Sequence, residues 1–222
     1  MDIVNARGRE VMTEAEFIRT VSLYETVLID IGCGDGVFPY RLAAAHNELF
    51  CIGIDPNWEL MAGFARRAER KPSRGGINNI LYVASAAQSL PKELKCLADV
   101  ITVNYPWSGL LRAIIEDDSV ISSSFEHLAS NDCLVQILLN VEPGVPEWSS
   151  LTPETMQVRV MPALTKIGFT LVECDWLPSG MRPRSRWGGR LVRGSQRDSI
   201  ILLAERGHVK TTTRSLLSSS LS

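Results

Sequence analysis

The sequence predicts an α/β protein with a doubly wound, seven-stranded, mostly parallel sheet whose final strand is antiparallel. Apolar, β-favouring runs alternate with segments of helical periodicity along most of the chain. A Gly-x-Gly-x-Gly sequence connects the first of these runs to a helix, as at a parallel strand end. The last two strands are separated only by a long loop rich in Arg, Gly and Pro, so we expect them to pair antiparallel at or near one edge.

Seven apolar runs are predicted as strands: 27–31, 49–55, 80–84, 99–104, 133–141, 169–176 and 200–204. Helices are predicted from Thr13, as the cap of a capping box with Glu16, and over 37–45, 58–70, 110–115, 120–129 and 153–167. Thr152 caps the last of these helices, and Pro153 suits its first turn. The Ser- and Thr-rich stretch 211–222 is predicted to fray as a flexible tail.

The composition is that of an ordinary globular protein of 222 residues, with 45% hydrophobic and 22% charged residues. We expect one domain over 1–222, with an N-terminal extension over 1–25 and a basic loop over 177–199. No apolar run reaches the roughly 20 residues that span a bilayer, and the first residues lack the pattern of a secretion signal. The five cysteines are scattered without C-x-x-C or His/Cys clusters, which predicts a cytoplasmic protein without a metal site.

Acidic residues follow the first two predicted strands, beside the glycine-rich turn. Asp30 lies at the end of the first strand, Asp35 lies inside the turn, and Asp55 ends the second strand, where an acid can hold ribose hydroxyls. Dinucleotide loops prefer G-x-G-x-x-G, and Asp35 would repel a pyrophosphate. A ligand with a ribose and a charged amino-acid tail but no phosphate fits better, which describes S-adenosylmethionine. The alternative is a tight strand-to-helix turn without a ligand.

The tetrapeptide Asn104-Tyr105-Pro106-Trp107 ends the fourth predicted strand, on the same edge of the sheet. It is a variant of the (Asp/Asn/Ser)-Pro-Pro-aromatic pattern of methyltransferases that modify base nitrogens. Proline fixes φ and turns the chain, so the aromatic side chain can stack on a flat base while polar groups bond its edge. The alternative is a loop whose Trp107 covers the core.

A second tryptophan, Trp187, lies in the segment Ser185-Arg186-Trp187-Gly188-Gly189-Arg190, which is poor core material. It can supply the other face of a sandwich around a base, and stacking contributes about 1–3 kcal/mol per base. That would offset the few kcal/mol, roughly, of flipping a base out of its stack. The alternative is that Trp187 packs on the sheet edge. We assign Trp58, Trp148 and Trp176 to packing.

The net charge is −2, but two short stretches hold many of the basic residues. Their members are Arg66, Arg67, Arg70, Lys71 and Arg74 in one, and Arg182, Arg184, Arg186, Arg190, Arg193 and Arg197 in the other. Such asymmetry can attract nucleic acid even at a pI near 6, although two solvated faces would give the same pattern.

These motifs, in this order, resemble the 16S rRNA adenine-1408 N1-methyltransferases, which confer aminoglycoside resistance in bacteria. The resemblance runs from about residue 27 to 197 and includes Lys-Pro-Ser-Arg-Gly-Gly (71–76), Ala-Ala-Gln-Ser-Leu-Pro (86–91), Tyr-Pro-Trp (105–107) and Ser-Arg-Trp (185–187). It implies a class I S-adenosylmethionine-dependent methyltransferase fold, Rossmann-like, and a reaction that releases S-adenosylhomocysteine. The implied substrate is 16S rRNA within the 30S ribosomal subunit. We expect a monomer that does not bind membranes.

Three sets of residues follow from the resemblance and from the strand ends. The expected cofactor-binding residues are Asp30, Gly32, Gly34, Asp35, Asp55, Pro56, Ala87, Gln88 and Asn104. The adenine would lie between Trp107 and Trp187, with Pro106 and Ser185 beside it. The rRNA would be held by Arg66, Arg67, Arg70, Lys71, Arg74, Arg186, Arg190 and Arg197. Two residues depart from the family pattern: Gln88, where Glu is frequent, and Ser195, where a basic residue is common.

Adenine N1 carries a free lone pair, so we expect no general base and a rate enhancement from alignment of N1 with the methyl group. The tryptophan faces would tolerate the positive charge of the product by cation–π attraction. Two other functions stay open at this point. One is the same fold acting on adenine N6 or on a small molecule, and the other is an RNA-binding module whose methyltransferase site is silent.

Overall fold

The computed structural model describes residues 1–116, 119, 121–140, 151–178, 181 and 198–220. Within them the strands are β1 (Asp2–Asn5), β2 (Gly8–Val11), β3 (Thr26–Ile31), β4 (Leu49–Asp55), β5 (Ile80–Ala84), β6 (Ala98–Asn104), β7 (Ala129–Asn140), β8 (Thr170–Trp176) and β9 (Ser199–Arg206). The α-helices are α1 (Glu14–Val21), α2 (Val37–Ala45), α3 (Trp58–Ala68), α4 (Ser108–Glu116), α5 (Glu126–Leu128), α6 (Pro153–Lys166) and α7 (Thr211–Ser220). No helix in this part of the chain is long and apolar enough to cross a membrane.

The strands form one sheet in the order β2-β1-β5-β4-β3-β6-β7-β9-β8. The five strands from β5 to β7 are parallel, and β9 is inserted antiparallel between β7 and β8. The predicted doubly wound sheet with an antiparallel final strand is therefore confirmed. The chain moves outward from β3 through β4 to β5 and then returns to β6 on the other side, so a topological switch point lies between β3 and β6. We call the edge where the parallel strands end the carboxyl rim.

Helices cover both faces of the sheet. On one face Leu28, Val100 and Leu134 pack with Phe38 and Leu42 of α2. On the other face the strands pack against helical side chains that include Phe17 of α1, Ile114 of α4, and Met156 and Val160 of α6. The continuous apolar runs of the parallel strands follow from this double coverage, because neither face meets water.

The predicted helix caps are present. Thr13 and Glu16 form the capping box of α1, with Glu16 N donating to Thr13 Oγ1 at 3.3 Å and Thr13 N donating to Glu16 Oε2 at 3.0 Å. Thr152 caps α6 through Thr155 N, and Pro153 occupies the first turn. These bonds satisfy amide groups that the first turn of a helix leaves without partners.

The structure differs from the sequence prediction at four places. An N-terminal hairpin, β1–β2, adds two strands to the seven that were predicted, and Ile3 pairs with Val83 of β5. The predicted helix over 120–129 is a π-helical turn at Ile121–Phe125 followed by α5, and Ala129 already belongs to β7. The helix predicted over 58–70 ends at Ala68 as α3. The stretch predicted to fray forms α7, because Leu216 and Leu217 are buried against the face that α2 also covers.

Candidate functional site

A cavity of about 560 Å³ opens at the carboxyl rim, over the switch point between β3 and β6. Four segments line it: the glycine-rich turn after β3, the end of β4, the stretch after β5, and the turn that leads from β6 into α4. Its size is that of a small-molecule site, and its position is where open α/β sheets bind ligands. Its lining includes all nine predicted cofactor-binding residues: Asp30, Gly32, Gly34, Asp35, Asp55, Pro56, Ala87, Gln88 and Asn104.

The glycine-rich turn has a backbone that only glycine adopts easily. Gly32, Gly34 and Gly36 have φ angles of 71°, 58° and 74°. Under the turn lies the buried Tyr82, whose hydroxyl donates to the Gly36 carbonyl at 2.8 Å. A Cβ at Gly36 would overlap the Tyr82 ring, and a Cβ at Gly53 would come within 3.0 Å of it. The ring thus requires residues without a Cβ above and beside it. The ring and its hydroxyl support the turn from below.

Asp30 is buried on the floor of the cavity. Its Oδ1 accepts two hydrogen bonds, from Thr102 Oγ1 at 2.7 Å and from Asn104 Nδ2 at 3.0 Å. Burial raises the pKa of Asp30 to about 7, and these two hydrogen bonds oppose the rise only in part. Both bonds fall on Oδ1, so Oδ2 is the oxygen that can accept a hydrogen bond from a ligand.

Asp55 is half-buried at the end of β4 and is bonded by backbone amides instead of side chains. Its Oδ2 accepts from Gly34 N at 3.0 Å, and its Oδ1 accepts from Asn57 N at 2.8 Å. Burial raises the pKa of Asp55, and the two amide bonds oppose that rise. The carboxylate thus ties the glycine-rich turn to the start of α3. Asp35, inside the turn, accepts from Val37 N at 3.2 Å in the first turn of α2.

The stretch after β5 forms one side of the cavity. Ala87–Ser89 is a short 3₁₀ turn, which is held by Ser85 Oγ donating to Ser89 O at 2.7 Å. Ser124 Oγ donates to Ala87 O at 2.7 Å and fixes the turn from below. Gln88 is exposed at the cavity, so its amide can meet a ligand.

The segment Asn104–Trp107 forms the opposite side. Tyr105 is buried with a φ of 52°, a left-handed conformation that turns the chain sharply at the end of β6. Pro106 is buried after it, and Trp107 lies at the cavity mouth with 58% of its surface exposed. The Trp107 carbonyl accepts from Leu110 N at 3.0 Å in the first turn of α4. Half of a large apolar surface is thus exposed beside the cavity, where it can stack on a flat partner.

A basic surface, which we define as Arg66, Arg67, Arg70, Lys71 and Arg74, lies at the end of α3 and in the loop after it. All five residues are exposed. The Arg67 guanidinium lies over the Tyr40 ring, 5.1 Å from its centroid, and the Tyr40 hydroxyl donates to Gly75 O at 2.6 Å.

Backbone hydrogen bonds close the loop of this basic surface. Lys71 O accepts from Arg74 N at 2.8 Å and from Gly76 N at 3.1 Å. The acid within the stretch, Glu69, accepts from Ala6 N of the hairpin turn at 3.0 Å. The loop charges are therefore presented on a backbone that is already ordered.

The second predicted basic stretch and the second stacking residue lie outside the described residues. These predictions concern Ser185, Arg186, Trp187, Arg190 and Arg197, and they stay predictions. The sequence reasoning missed Thr102, Tyr82 and Gln136. Thr102 and Gln136 did leave a signal, since each interrupts an apolar strand with a polar side chain.

The family model described as NpmA, 16S rRNA (adenine(1408)-N(1))-methyltransferase, matches residues 4–206. A curated 16S rRNA (adenine(1408)-N(1))-methyltransferase from Escherichia coli is 32% identical over 158 residues, which are 71% of this chain and 69% of the relative. One from Streptoalloteichus hindustanus is 29% identical over 212 residues, 91% of this chain and 97% of the relative.

Solved structures of methyltransferases also superimpose on this chain. A variant of the 16S rRNA (adenine(1408)-N(1))-methyltransferase from Catenulisporales acidiphilia, with the cosubstrate SAM, superimposes with a TM-score of 0.82 at 26% identity, over 94% of this chain and 97% of that chain. The antibiotic-resistance methyltransferase Kmr superimposes with a TM-score of 0.77 at 31% identity, over 95% of this chain and 100% of that chain. Because the family model matches most of its length and a curated relative is 32% identical, this chain belongs to the 16S rRNA (adenine(1408)-N(1))-methyltransferase family.

Proposed function

We propose that this chain transfers the methyl group of S-adenosylmethionine to N1 of adenine 1408 in 16S rRNA, within the 30S ribosomal subunit, and thereby confers aminoglycoside resistance. The observation that carries the proposal is the cavity at the carboxyl rim, with two acids at its strand ends and an exposed tryptophan at its mouth. Membership of the family fits that geometry. The enzyme acts as a monomer in the cytoplasm, where ribosomal subunits are found.

The donor groups of the cavity fit S-adenosylmethionine. Asp55 can accept hydrogen bonds from ribose hydroxyls, and Oδ2 of Asp30 can accept one from the cationic amino group. Asp35 would repel a phosphate at the turn, so a dinucleotide fits less well. The remaining contacts are assigned to the other residues that line the cavity: Gly32, Gly34, Pro56, Ala87, Gln88 and Asn104. When bound, the cosubstrate supplies an electrophilic methyl group on a sulfonium.

The residues at the cavity mouth hold and align the target adenine. Trp107 stacks on one face of the flipped base, and Trp187 is proposed for the other face, with Pro106 and Ser185 beside it. The lone pair of N1 attacks without prior loss of a proton, so the protein has to orient the ring and exclude water. The tryptophan faces also stabilise the cationic product ring.

The basic surface is proposed to hold rRNA phosphates, together with Arg186, Arg190 and Arg197. Phosphate contacts fix the orientation of the protein on the subunit but do not select the base. Base selection is left to the cavity mouth. The exposure of all five residues of the basic surface, and the hydrogen-bonded loop that carries three of them, support this assignment.

Primer extension on 16S rRNA tests the proposal. 30S subunits are incubated with the protein and S-adenosylmethionine, and reverse transcriptase should stop one nucleotide before adenine 1408, because N1 methylation blocks the pairing edge. Heat-treated protein serves as the control. If the protein binds S-adenosylmethionine but no stop forms, N1 of adenine 1408 is not the target, and another RNA position or adenine N6 becomes the better assignment.

Trp107→Ala tests the stacking role at the cavity mouth. We expect loss of the stop at adenine 1408, with the dissociation constant for S-adenosylmethionine within about threefold of wild type, since losing one stacking face removes about 1–3 kcal/mol from base binding alone. Trp58→Phe, a change in a partly buried tryptophan that packs against the cluster containing Met61 and Tyr82, is the matched control and should keep the stop. Methylation retained by Trp107→Ala would contradict the stacking role.

A further inference from the structure

Gln136 is a buried polar residue in the middle of β7. Its neighbours along the strand, from Leu134 to Leu139, are apolar, and Gln136 itself has no exposed surface. A buried amide favours the folded state only when its polar atoms all find hydrogen-bond partners. Whether Gln136 stabilises the fold therefore depends on the hydrogen-bond partners of its amide.

Within the described part of the chain, only one side of the Gln136 amide is bonded. Its Nε2 donates to Asn104 Oδ1 at 3.3 Å, whereas no donor among the described residues reaches its buried Oε1. A buried carbonyl without a donor loses its hydration and regains nothing, so it destabilises the fold. An apolar side chain of the same length would suit β7 better, and packing alone does not explain the glutamine.

The bonded side leads to the cavity. Asn104 Nδ2 donates to Asp30 Oδ1, so a flipped Asn104 amide would direct its carbonyl oxygen at a carboxylate. The hydrogen bond to Asp30 thereby fixes the positions of Nδ2 and Oδ1 in the Asn104 amide. Gln136 Nε2 donates to the Oδ1 that is fixed in this way. Both polar atoms of the Asn104 side chain therefore have hydrogen-bond partners beneath the cavity. The chain continues from Asn104 directly into Tyr105, Pro106 and Trp107.

We propose that Gln136 is a positioning residue for the methyl-transfer site. It holds the Asn104 amide in the one orientation that supports the Asp30 carboxylate, although it does not itself line the cavity. The inference rests on the proposed function, because it assigns Asp30 to S-adenosylmethionine. It explains why a residue that costs stability occupies the centre of β7: the amide serves the site and not the fold.

Gln136→Met tests the inference, because methionine has a similar length and no strong hydrogen-bonding group. We expect the dissociation constant and the KM for S-adenosylmethionine to rise by about threefold to tenfold, the weight of one hydrogen bond. The kcat at saturating cofactor should stay within about twofold. The thermal midpoint should change little, because the variant removes the unpaired Oε1 as well as the donor to Asn104 Oδ1. A lower midpoint together with weaker binding would make Gln136 a structural residue and overturn the inference.

A double-mutant cycle supplies the second measurement. If Gln136 acts only through Asn104, then Gln136→Met should not weaken S-adenosylmethionine binding further in the Asn104→Ala background. Additive losses would overturn the inference. Ile137→Met is the matched control on the opposite face of β7: it should lower stability without changing cofactor affinity.

The outcomes separate this inference from the proposed function. Absence of S-adenosylmethionine binding by the wild-type protein would defeat the proposed function. Wild-type binding with unchanged affinity in Gln136→Met would defeat only the role of Gln136.

Discussion

Asp30 and Asp55 follow the same sequence pattern, an apolar parallel strand with a carboxylate at its end, yet their surroundings differ. Asp30 is buried and is bonded by the side chains of Thr102 and Asn104, and its pKa is raised to about 7. Asp55 is half-buried and is bonded by the backbone amides of Gly34 and Asn57. The first carboxylate is costly to ionise, and the second is part of the backbone scaffold.

The stagger of the strands causes the difference. Asp30 pairs across the sheet with Gly53, two residues before Asp55, so it lies deeper below the carboxyl rim. At that depth its neighbours are side chains on the sheet face. At the rim, where Asp55 lies, the neighbours are the free amides of a turn and a helix start. Depth below the rim, and not the type of residue, therefore decides whether a carboxylate is bonded by side chains of the sheet or by backbone amides.

Asp55→Ala should have the largest effect. It removes the acceptor for ribose hydroxyls and also leaves Gly34 N and Asn57 N without their partner, which loosens the glycine-rich turn. We expect S-adenosylmethionine affinity to fall by at least about a hundredfold, with a lower thermal midpoint, since a bond to a charged group contributes about 1.5–3 kcal/mol. Isothermal titration calorimetry measures the affinity. A smaller loss than in Asp30→Asn would reverse the comparison.

Asp30→Asn should separate binding from stability. Both sheet bonds fall on Oδ1, so the asparagine oxygen can keep them while the negative charge disappears. We expect cofactor affinity to fall about tenfold to a hundredfold, because the cationic amino group loses its counter-ion.

The same substitution should raise the thermal midpoint at pH 8. The pKa of Asp30 is higher in the folded protein than in the unfolded chain, so its contribution to stability is present at low pH and is lost as pH rises through 7. The advantage of Asp30→Asn over wild type should therefore grow from pH 5 to pH 8 in differential scanning calorimetry. A lower midpoint for the variant at pH 8 would show that the Asp30 charge stabilises the fold.

The change of wild-type cofactor affinity with pH should be smaller than the changes in affinity that the substitutions cause. A cationic ligand requires ionised Asp30, so wild-type affinity should fall by about fivefold between pH 7 and pH 6, with proton release on binding in that range. Titrations in two buffers of different ionisation enthalpy measure that release. Asp30→Asn should remove most of the dependence, and an equal slope in both proteins would assign it to another group, such as the amino group of the ligand.

Much of the fold could be predicted because the parallel strands are buried on both faces. The apolar runs of β4 and β5 can be identified as strands from the sequence alone, since each run ends at charged or turn-forming residues. The hairpin β1–β2 could not be found in this way, because its strands have four residues each and only Val4 is fully buried. Helix α7 was missed because Ser and Thr are weak helix formers, and burial of Leu216 and Leu217 outweighs that propensity.

The residues at the strand ends of the candidate site could be predicted from the sequence, but the contacts beneath them could not. Residues 30, 55, 104 and 107 are polar or aromatic groups at or near the ends of apolar strands, and parallel strands bring such ends to one rim. The relation of Asn104 to Gln136 depends on the register between β6 and β7, where Asn104 pairs with Leu138. Register across a sheet is a long-range property that a single sequence does not state.

Tyr82 has a consequence for how this sequence can vary. Its ring fills the space where a side chain at 36 or 53 would be, and its hydroxyl bonds the Gly36 carbonyl. A single change at any of these three positions creates an overlap or a void. A side chain at 53 can be accommodated only if the residue at 82 shrinks and Cys33, whose Sγ would lie 2.9 Å from the added Cβ, also gives way. Among related sequences, positions 33, 53 and 82 should therefore vary together, and position 36 should stay glycine wherever an aromatic ring occupies 82.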